Sequence, residues 1–319
     1  MTDTYFEYKS IKVKRRKINE ETKFLIPKKR FFILENEQVE EILYGIQRHE
    51  EDEPWNMLLV GEPGCGKSEM VMYLCAELNI PLVIVQGDSE MSVSDLVGFN
   101  SYSEQRGGMF WQDGKIPYGL RNGCSFLFDE LPGILPDVLM KTYSMLDDRR
   151  TLDLKEHIAE REVDGKRIEV PEMVSVPPET IFFGTSNPWD TGRHTGLKGL
   201  SPALDSRFGL RINMGYLSAE NETKMLVHET GISEEEAKKI VVVANESRKA
   251  FYNQEICSPI CHRQTKAWAK LAKKFGLARA CKTTILSRLD EQSQDVLRGV
   301  LLAYNLEKPA GREEAKRKK

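Results

Sequence analysis

No stretch of this sequence approaches the roughly 18 consecutive apolar residues of a membrane-spanning helix, and its N-terminus is polar where a secretion signal would carry an apolar core. A cytoplasmic chain with no membrane partner is therefore expected. An excess of one charge is also lacking: 46 Lys/Arg against 49 Asp/Glu leave a formal net charge of -3 over 319 residues, and that balance does not point to a polyanion. Cysteine is sparse. The six (Cys65, Cys75, Cys124, Cys257, Cys261 and Cys281) fall mostly in apolar or helical stretches, as reduced buried thiols do. Cys257, Cys261 and His262 lack the second paired half that a zinc site needs, so a structural reading of them is preferred. A chain of this length builds a core without disulfide staples and has room for two domains.

What is present is unevenly spread. Residues 1–30 hold ten Lys/Arg against four Asp/Glu, and short like-charge blocks of this kind are usually solvated; a basic N-terminal arm is expected, with contact to nucleic acid as a side reading. Val39, Ile42, Leu43 and Ile46 then recur at helical spacing. Four short apolar runs follow (Met57–Val60, Leu82–Val85, Ser125–Phe128 and Ile181–Gly184), each ending in a Gly-rich or polar turn. They are too short for helices and do not alternate, as strands buried on both faces of a parallel sheet do not. Helical patterns lie between them, notably Glu69–Leu78 and Val138–Leu146, so the core reads as a doubly wound α/β sandwich. Past Gly215 the pattern is helical throughout. Ser233 with Glu236 forms a capping box, and Ser258-Pro259 reads as an N-cap followed by a first-turn proline. The tail 307–319 is charged and nearly devoid of apolar residues, which predicts disorder.

Gly61-Glu62-Pro63-Gly64-Cys65-Gly66-Lys67-Ser68 fits G-x-x-x-x-G-K-[ST] between a predicted strand and a predicted helix. Such a loop turns successive N–H groups toward phosphates, a helix N-terminus beneath it adds positive potential, the lysine neutralises the outer phosphates and the serine hydroxyl suits magnesium. Glu69, the next residue, completes the candidate nucleotide-binding stretch. Phe126-Leu127-Phe128-Asp129-Glu130 ends an apolar strand in two carboxylates, at the edge where open α/β sheets bind ligands. Asp129 is the candidate magnesium residue beside Ser68, and Glu130 the candidate base for the attacking water. Asn187, after the last apolar run, holds that water or senses the γ-phosphate, or else is a turn residue beside Pro188. The sequence contains no [NT]-K-x-D guanine-reading motif, so ATP with Mg2+ is the expected cofactor pair.

Together the stretches GEPGCGKS, DLVGF (95–99), WQDGKIPYGLRNG (111–123), FLFDE, LMKTYSMLDDRRTL (139–152), TSNP and LSPALDSRFG (200–209) resemble MoxR-type AAA+ ATPases, in the branch of CbbQ, NirQ and NorQ. The resemblance implies a P-loop NTPase αβα core over 31–215, with hairpin inserts near 100–113 and 152–170, and a helical lid over 216–306. It further implies a homo-oligomeric ring, a hexamer in this family, in which Arg207 reaches a neighbour's γ-phosphate; Arg149 and Arg150 are further candidates for that role. Arg263 stands where the family's lid arginine lies, with His262 and Lys266 as alternatives. The implied function is ATP-driven remodelling, activation or maturation of a partner protein complex. A von Willebrand A-type partner domain is associated with the family, and its D-x-S-x-S motif is absent from this sequence. A nucleic-acid or restriction-type motor and a chelatase motor subunit are the alternatives.

Overall fold

Phe6 and Val13 are buried between more exposed neighbours, and that short alternation is enough to tie the N-terminal segment to the core. β1 (Tyr5–Tyr8) and β2 (Ile11–Lys14) form an antiparallel hairpin. Its inward residues Phe6 and Val13 join a buried cluster with Val39, Ile42, Leu43 and Ile46 of the helix Glu37–Glu50. The expectation of an arm outside the core is thus corrected. Lys9 pairs with Glu40, Lys12 with Glu7 and Lys14 with Asp3, while Glu77 receives both Arg15 and Lys29.

The computed structural model describes residues 3–35, 37–50, 54–105, 107–163, 166–188 and 199–306; the tail 307–319 lies outside the described residues. Beyond the first hairpin, the described strands are β3 (Met57–Gly61), β4 (Leu82–Gln86), β5 (Gly98–Ser103), β6 (Gly108–Asp113), β7 (Ser125–Asp129), β8 (Thr151–Val163), β9 (Lys166–Ser175), β10 (Phe182–Ser186) and β11 (Leu210–Met214). Five make a parallel sheet in the order β11-β3-β10-β7-β4. β3 and β10 are buried throughout, as the continuous apolar runs require. The order matters because β10 enters between β3 and β7 and pairs with both, Gly184 facing Leu58 on one side and Phe128 on the other. The carboxyl ends of all three strands therefore meet at one edge.

β5 and β6 pair antiparallel with Tyr102 and Met109 exposed on the hairpin. β8 and β9 form a longer ribbon whose register breaks between Leu154 and Ile158. At its root Leu152, Leu154 and Val174 are buried, whereas Ile158 and Ile168 beyond the break are exposed. The helical pattern over Val138–Leu146 forms three short pieces, Pro136–Leu139, Met140–Thr142 and Tyr143–Leu146.

The chain forms two compact units, one of Met1–Glu62 with Lys67–Met214 and one of Pro63–Gly66 with Gly215–Lys319. In the second, Ser233 caps the helix Glu234–Tyr252 by accepting from the Glu236 N–H. The next helix starts at His262 rather than at Pro259: the Cys261 N–H donates to the Gln264 side chain at 2.8 Å, which fixes the first turn three residues later than the Ser-Pro pair suggests. No described helix is long and apolar enough to cross a membrane.

Candidate nucleotide site

The glycine-rich loop runs from the end of β3 into the helix Lys67–Leu78. Gly64 has φ +70, and a Cβ there would lie 2.8 Å from the Cys261 Cβ, so backbone conformation and space both require glycine. Lys67 is buried, and its ammonium donates to the carbonyls of Gly61 (2.6 Å) and Glu62 (3.1 Å) and to the Asn187 Oδ1 (3.0 Å). One cation thus links the loop to the end of β10. The Ser68 hydroxyl donates to the Asp129 carboxylate, which also accepts from the Thr185 Oγ1 at 2.7 Å. A hydroxyl and a carboxylate converging on one point are hard oxygen donors, the chemistry that suits Mg2+. Among the described residues no group of three His, Cys, Asp or Glu gathers as a metal site.

Glu130 follows directly, with φ 57 and ψ 48, a left-handed conformation that a non-glycine residue keeps only when its surroundings dictate it. Three contacts do so. Its N–H donates to the Thr185 Oγ1 (2.9 Å), its carbonyl accepts from the Gly133 N–H (2.8 Å), and Gly87 lets that carbonyl approach so closely that a Cβ at Gly87 would sit 2.1 Å from it. Glu130 is exposed and directly follows Asp129, the acceptor of the Ser68 hydroxyl. Gly87→Ala is expected to push Glu130 out of place, costing about 1–3 kcal/mol in stability and about tenfold or more in any turnover that depends on Glu130. A melt and a steady-state assay check it; unchanged turnover with unchanged melting would mean that Glu130 is not held from Gly87.

Arg207 lies away from this cluster. Its guanidinium stacks over the Tyr143 ring (4.5 Å to the centroid), donates to the carbonyls of Tyr143 and Ala203, and pairs with Asp147 at 3.2 Å. Asp147 also takes Arg149 at 2.7 Å, and Arg149 followed by Arg207 holds its carboxyl down at about 2. Arg150 does not join them. It is half-buried, its guanidinium donates to the Pro177 and Thr180 carbonyls, and it packs over the Phe182 ring, which makes it part of the structural core. Glu69 faces outward toward Arg30 at 3.7 Å.

Within the second unit, the Tyr216 hydroxyl donates to the Pro63 carbonyl of the loop tip at 3.1 Å, and the Arg248 guanidinium lies 3.9 Å over the Tyr216 ring. Arg248 and His262 both bind Glu222, a fully buried carboxylate. Lys266 pairs with Glu229 at 2.8 Å. Of the three lid candidates, Arg263 alone is exposed and without a carboxylate partner among the described residues. Sequence reasoning missed Thr185, Gly87, Asp147 and Glu222. Each acts through a partner distant in sequence, so no local pattern marks it; only the hydroxyl of Thr185 at a strand end, beside the acid-bearing strand, could have given a signal.

A parallel sheet that brings a glycine-rich loop, a buried lysine and a strand-end carboxylate together at one edge defines the P-loop nucleoside triphosphatase class. Family models sharpen this. That of the AAA domain, dynein-related subfamily, matches residues 56–208, and that of the CbbQ/NirQ/NorQ C-terminal region matches 222–303. The denitrification regulatory protein NirQ of Pseudomonas aeruginosa is 29% identical over 193 residues, covering 60% of this chain and 67% of its own length. Protein CbbQ of Hydrogenophilus thermoluteolus is 31% identical over 60% of this chain and 65% of itself. The aerobic cobaltochelatase subunit CobS of Sinorhizobium sp is 28% identical over 74% and 70%. The chain thus spans about two thirds of the length of these relatives. It belongs to the MoxR-type AAA+ ATPases, in the CbbQ/NirQ/NorQ branch.

Proposed function

We propose that this protein hydrolyses ATP with Mg2+ in a ring of its own copies, hexameric as in the family it belongs to, and uses the resulting motion to remodel, activate or mature a partner protein complex. The observation that carries the reading is the convergence of Lys67, Ser68, Asp129 and Asn187 through hydrogen bonds, with Glu130 locked beside them. In this reading the loop 61–66 and the first turn of the helix, through Lys67, Ser68 and the Glu69 main chain, wrap the phosphates. Ser68 and Asp129 hold the metal, which when bound neutralises charge on the phosphates. Glu130 orients the attacking water and accepts its proton, Asn187 places that water or meets the γ-phosphate, and Arg263 contacts the nucleotide from the lid. Arg207, turned away from its own loop, serves a neighbouring copy.

A partner with a von Willebrand A-type domain would be a separate polypeptide. A chelatase motor subunit is the second reading, supported by the match to CobS over 74% of this chain. The nucleic-acid reading rests on the N-terminal cations alone, several of which pair with carboxylates on the surface. The test is Glu130→Gln: nucleotide binding is expected to persist while turnover falls by about 10² or more. Equal turnover by the variant and the wild type would remove the assignment.

A further inference from the structure

One stretch of the C-terminal helices gathers cations without acid. From residue 256 to 289 the sequence holds eight Lys/Arg and no Asp or Glu, in a chain whose totals are 46 and 49. All the acid therefore lies outside this stretch, and the remainder of the chain is clearly acidic. The structure sorts these cations onto one face. In the helix His262–Phe275 the buried residues are Thr265, Trp268, Ala269 and Ala272. Arg263, Lys266, Lys270, Lys273 and Lys274 fall within roughly 100° of one another on the opposite side, at about 3.6 residues per turn. Among the described residues Lys266 alone of these has a carboxylate, that of Glu229; Lys273 donates instead to the Thr230 carbonyl. The next helix, Leu277–Thr284, adds exposed Arg279 and Lys282. Arg279 lies 4.6 Å over the ring of Phe275, which is 39% exposed. Lys270, Lys274, Lys282 and Arg288 meet no carboxylate among the described residues.

Self-repulsion opposes such an arrangement. Like charges one helical turn apart destabilise a helix by a few tenths of a kcal/mol per pair, and the chain has ample acid with which to offset them, as it does at its N-terminus. An unneutralised stripe with an aromatic at its end has the features of a surface completed from outside.

We propose that this lid face docks an acidic protein segment, a run of Asp/Glu carboxylates that lies along the helix His262–Phe275 and reaches Arg279 and Lys282. With Arg263 left to the nucleotide, the stripe from Lys266 to Lys274 is about 12 Å long at the helical rise, the span of a short acidic segment. A nucleic acid would continue beyond it, carrying its phosphates over a predominantly acidic protein, where repulsion opposes binding. A carboxylate segment of matched length meets only the stripe. Phe275 and the exposed Ala267 and Ala278 give apolar side chains of the same segment something to cover.

The full chain carrying Lys270→Glu, Lys274→Glu, Arg279→Glu and Lys282→Glu is compared with the wild type, using a labelled oligoglutamate peptide of about six residues, which at roughly 3.3 Å per residue covers the stripe, and a single-stranded oligonucleotide of equal charge. The wild type is expected to bind the peptide with an affinity that falls as salt rises, the variant at least tenfold more weakly, with melting temperature and nucleotide binding unchanged. The oligonucleotide is expected to bind no more tightly than the peptide. Equal peptide binding by variant and wild type overturns the proposal. So does an oligonucleotide that binds more than tenfold tighter than the peptide and is lost in the variant, which gives the face to nucleic acid. If the charge-reversed chain melts early, the same four positions changed to Gln decide between these outcomes by the same two binding measurements.

Discussion

Arg207→Ala is expected to lower ATP turnover by on the order of 10³ while leaving nucleotide binding within about twofold, since a guanidinium supplied from a neighbouring subunit acts on the charge that develops in phosphoryl transfer. The geometry makes the variant informative. Arg207 sits on Asp147 and the Tyr143 ring rather than near Lys67, so its loss leaves the Lys67–Asn187 and Ser68–Asp129 contacts untouched. Asp147 carries Arg149 as well, so Asp147→Asn loosens two arginines at once and is expected to reduce turnover by a smaller factor without weakening nucleotide binding. Mixing separates trans action from a structural effect. Lys67→Ala and Arg207→Ala, each nearly inactive alone, should recover some hydrolysis together, because the Lys67→Ala subunit lends its intact Arg207 to a neighbour with an intact loop. A mixture that stays inactive although mass measurements show mixed rings would mean that Arg207 does not act on the adjacent subunit.

Glu222→Ala is expected to cost about 3–5 kcal/mol, the largest stability effect foreseen for a single substitution in the lid. Arg248 is buried to 4% exposure and makes two hydrogen bonds to that carboxylate, so removal of Glu222 strands a charge in the interior. Burial raises the Glu222 pKa, but the hydrogen bonds from His262 and Arg248 outweigh it and bring it to about 2, against 4.5 without the fold. The folded value is the depressed one, so the stabilisation is complete above pH 4.5 and is lost as pH falls toward 2. The shift corresponds to on the order of 3 kcal/mol. Acid melts should therefore be steeper for the wild type than for Glu222→Gln across that window, and amide exchange should report the loss in the helices between Ala219 and Ala303. The double variant Glu222→Met, Arg248→Met should regain much of the loss, since no charge is then left buried. A double variant as unstable as Glu222→Ala would show that packing, not charge, is at stake.

The elements legible in the sequence are those whose signal is contiguous. Met57–Val60 and Ser125–Phe128 are continuous apolar runs because sheet neighbours and helices cover both faces, and the phosphate loop and the Asp129-Glu130 pair are strings that follow such runs. β11 is not legible: Leu210-Arg211-Ile212-Asn213-Met214 is an edge strand with only Ile212 fully buried, so it reads as irregular polar chain. The N-terminal hairpin is hidden for a related reason. Two buried residues, Phe6 and Val13, decide its place, while ten basic residues dominate the count. At the site, glycine at position 87 answers to a carbonyl 43 residues away in sequence, and Asp147 is separated from Arg207 by 60. Requirements of that kind are set by sheet order and tertiary approach, which no local window contains.

Lys67 has three N–H donors and no acceptor, and three neutral oxygens already surround it, two from the main chain of the loop and one from Asn187. A phosphate oxygen reaching that ammonium cannot simply be added; it must take the place of one of them. The two carbonyls are fixed by the loop's own path, whereas the Asn187 amide can turn about its side-chain bonds. Under the proposed function, occupancy of the loop would thus release a single amide at the end of β10, a strand paired with both the loop strand and the acid strand.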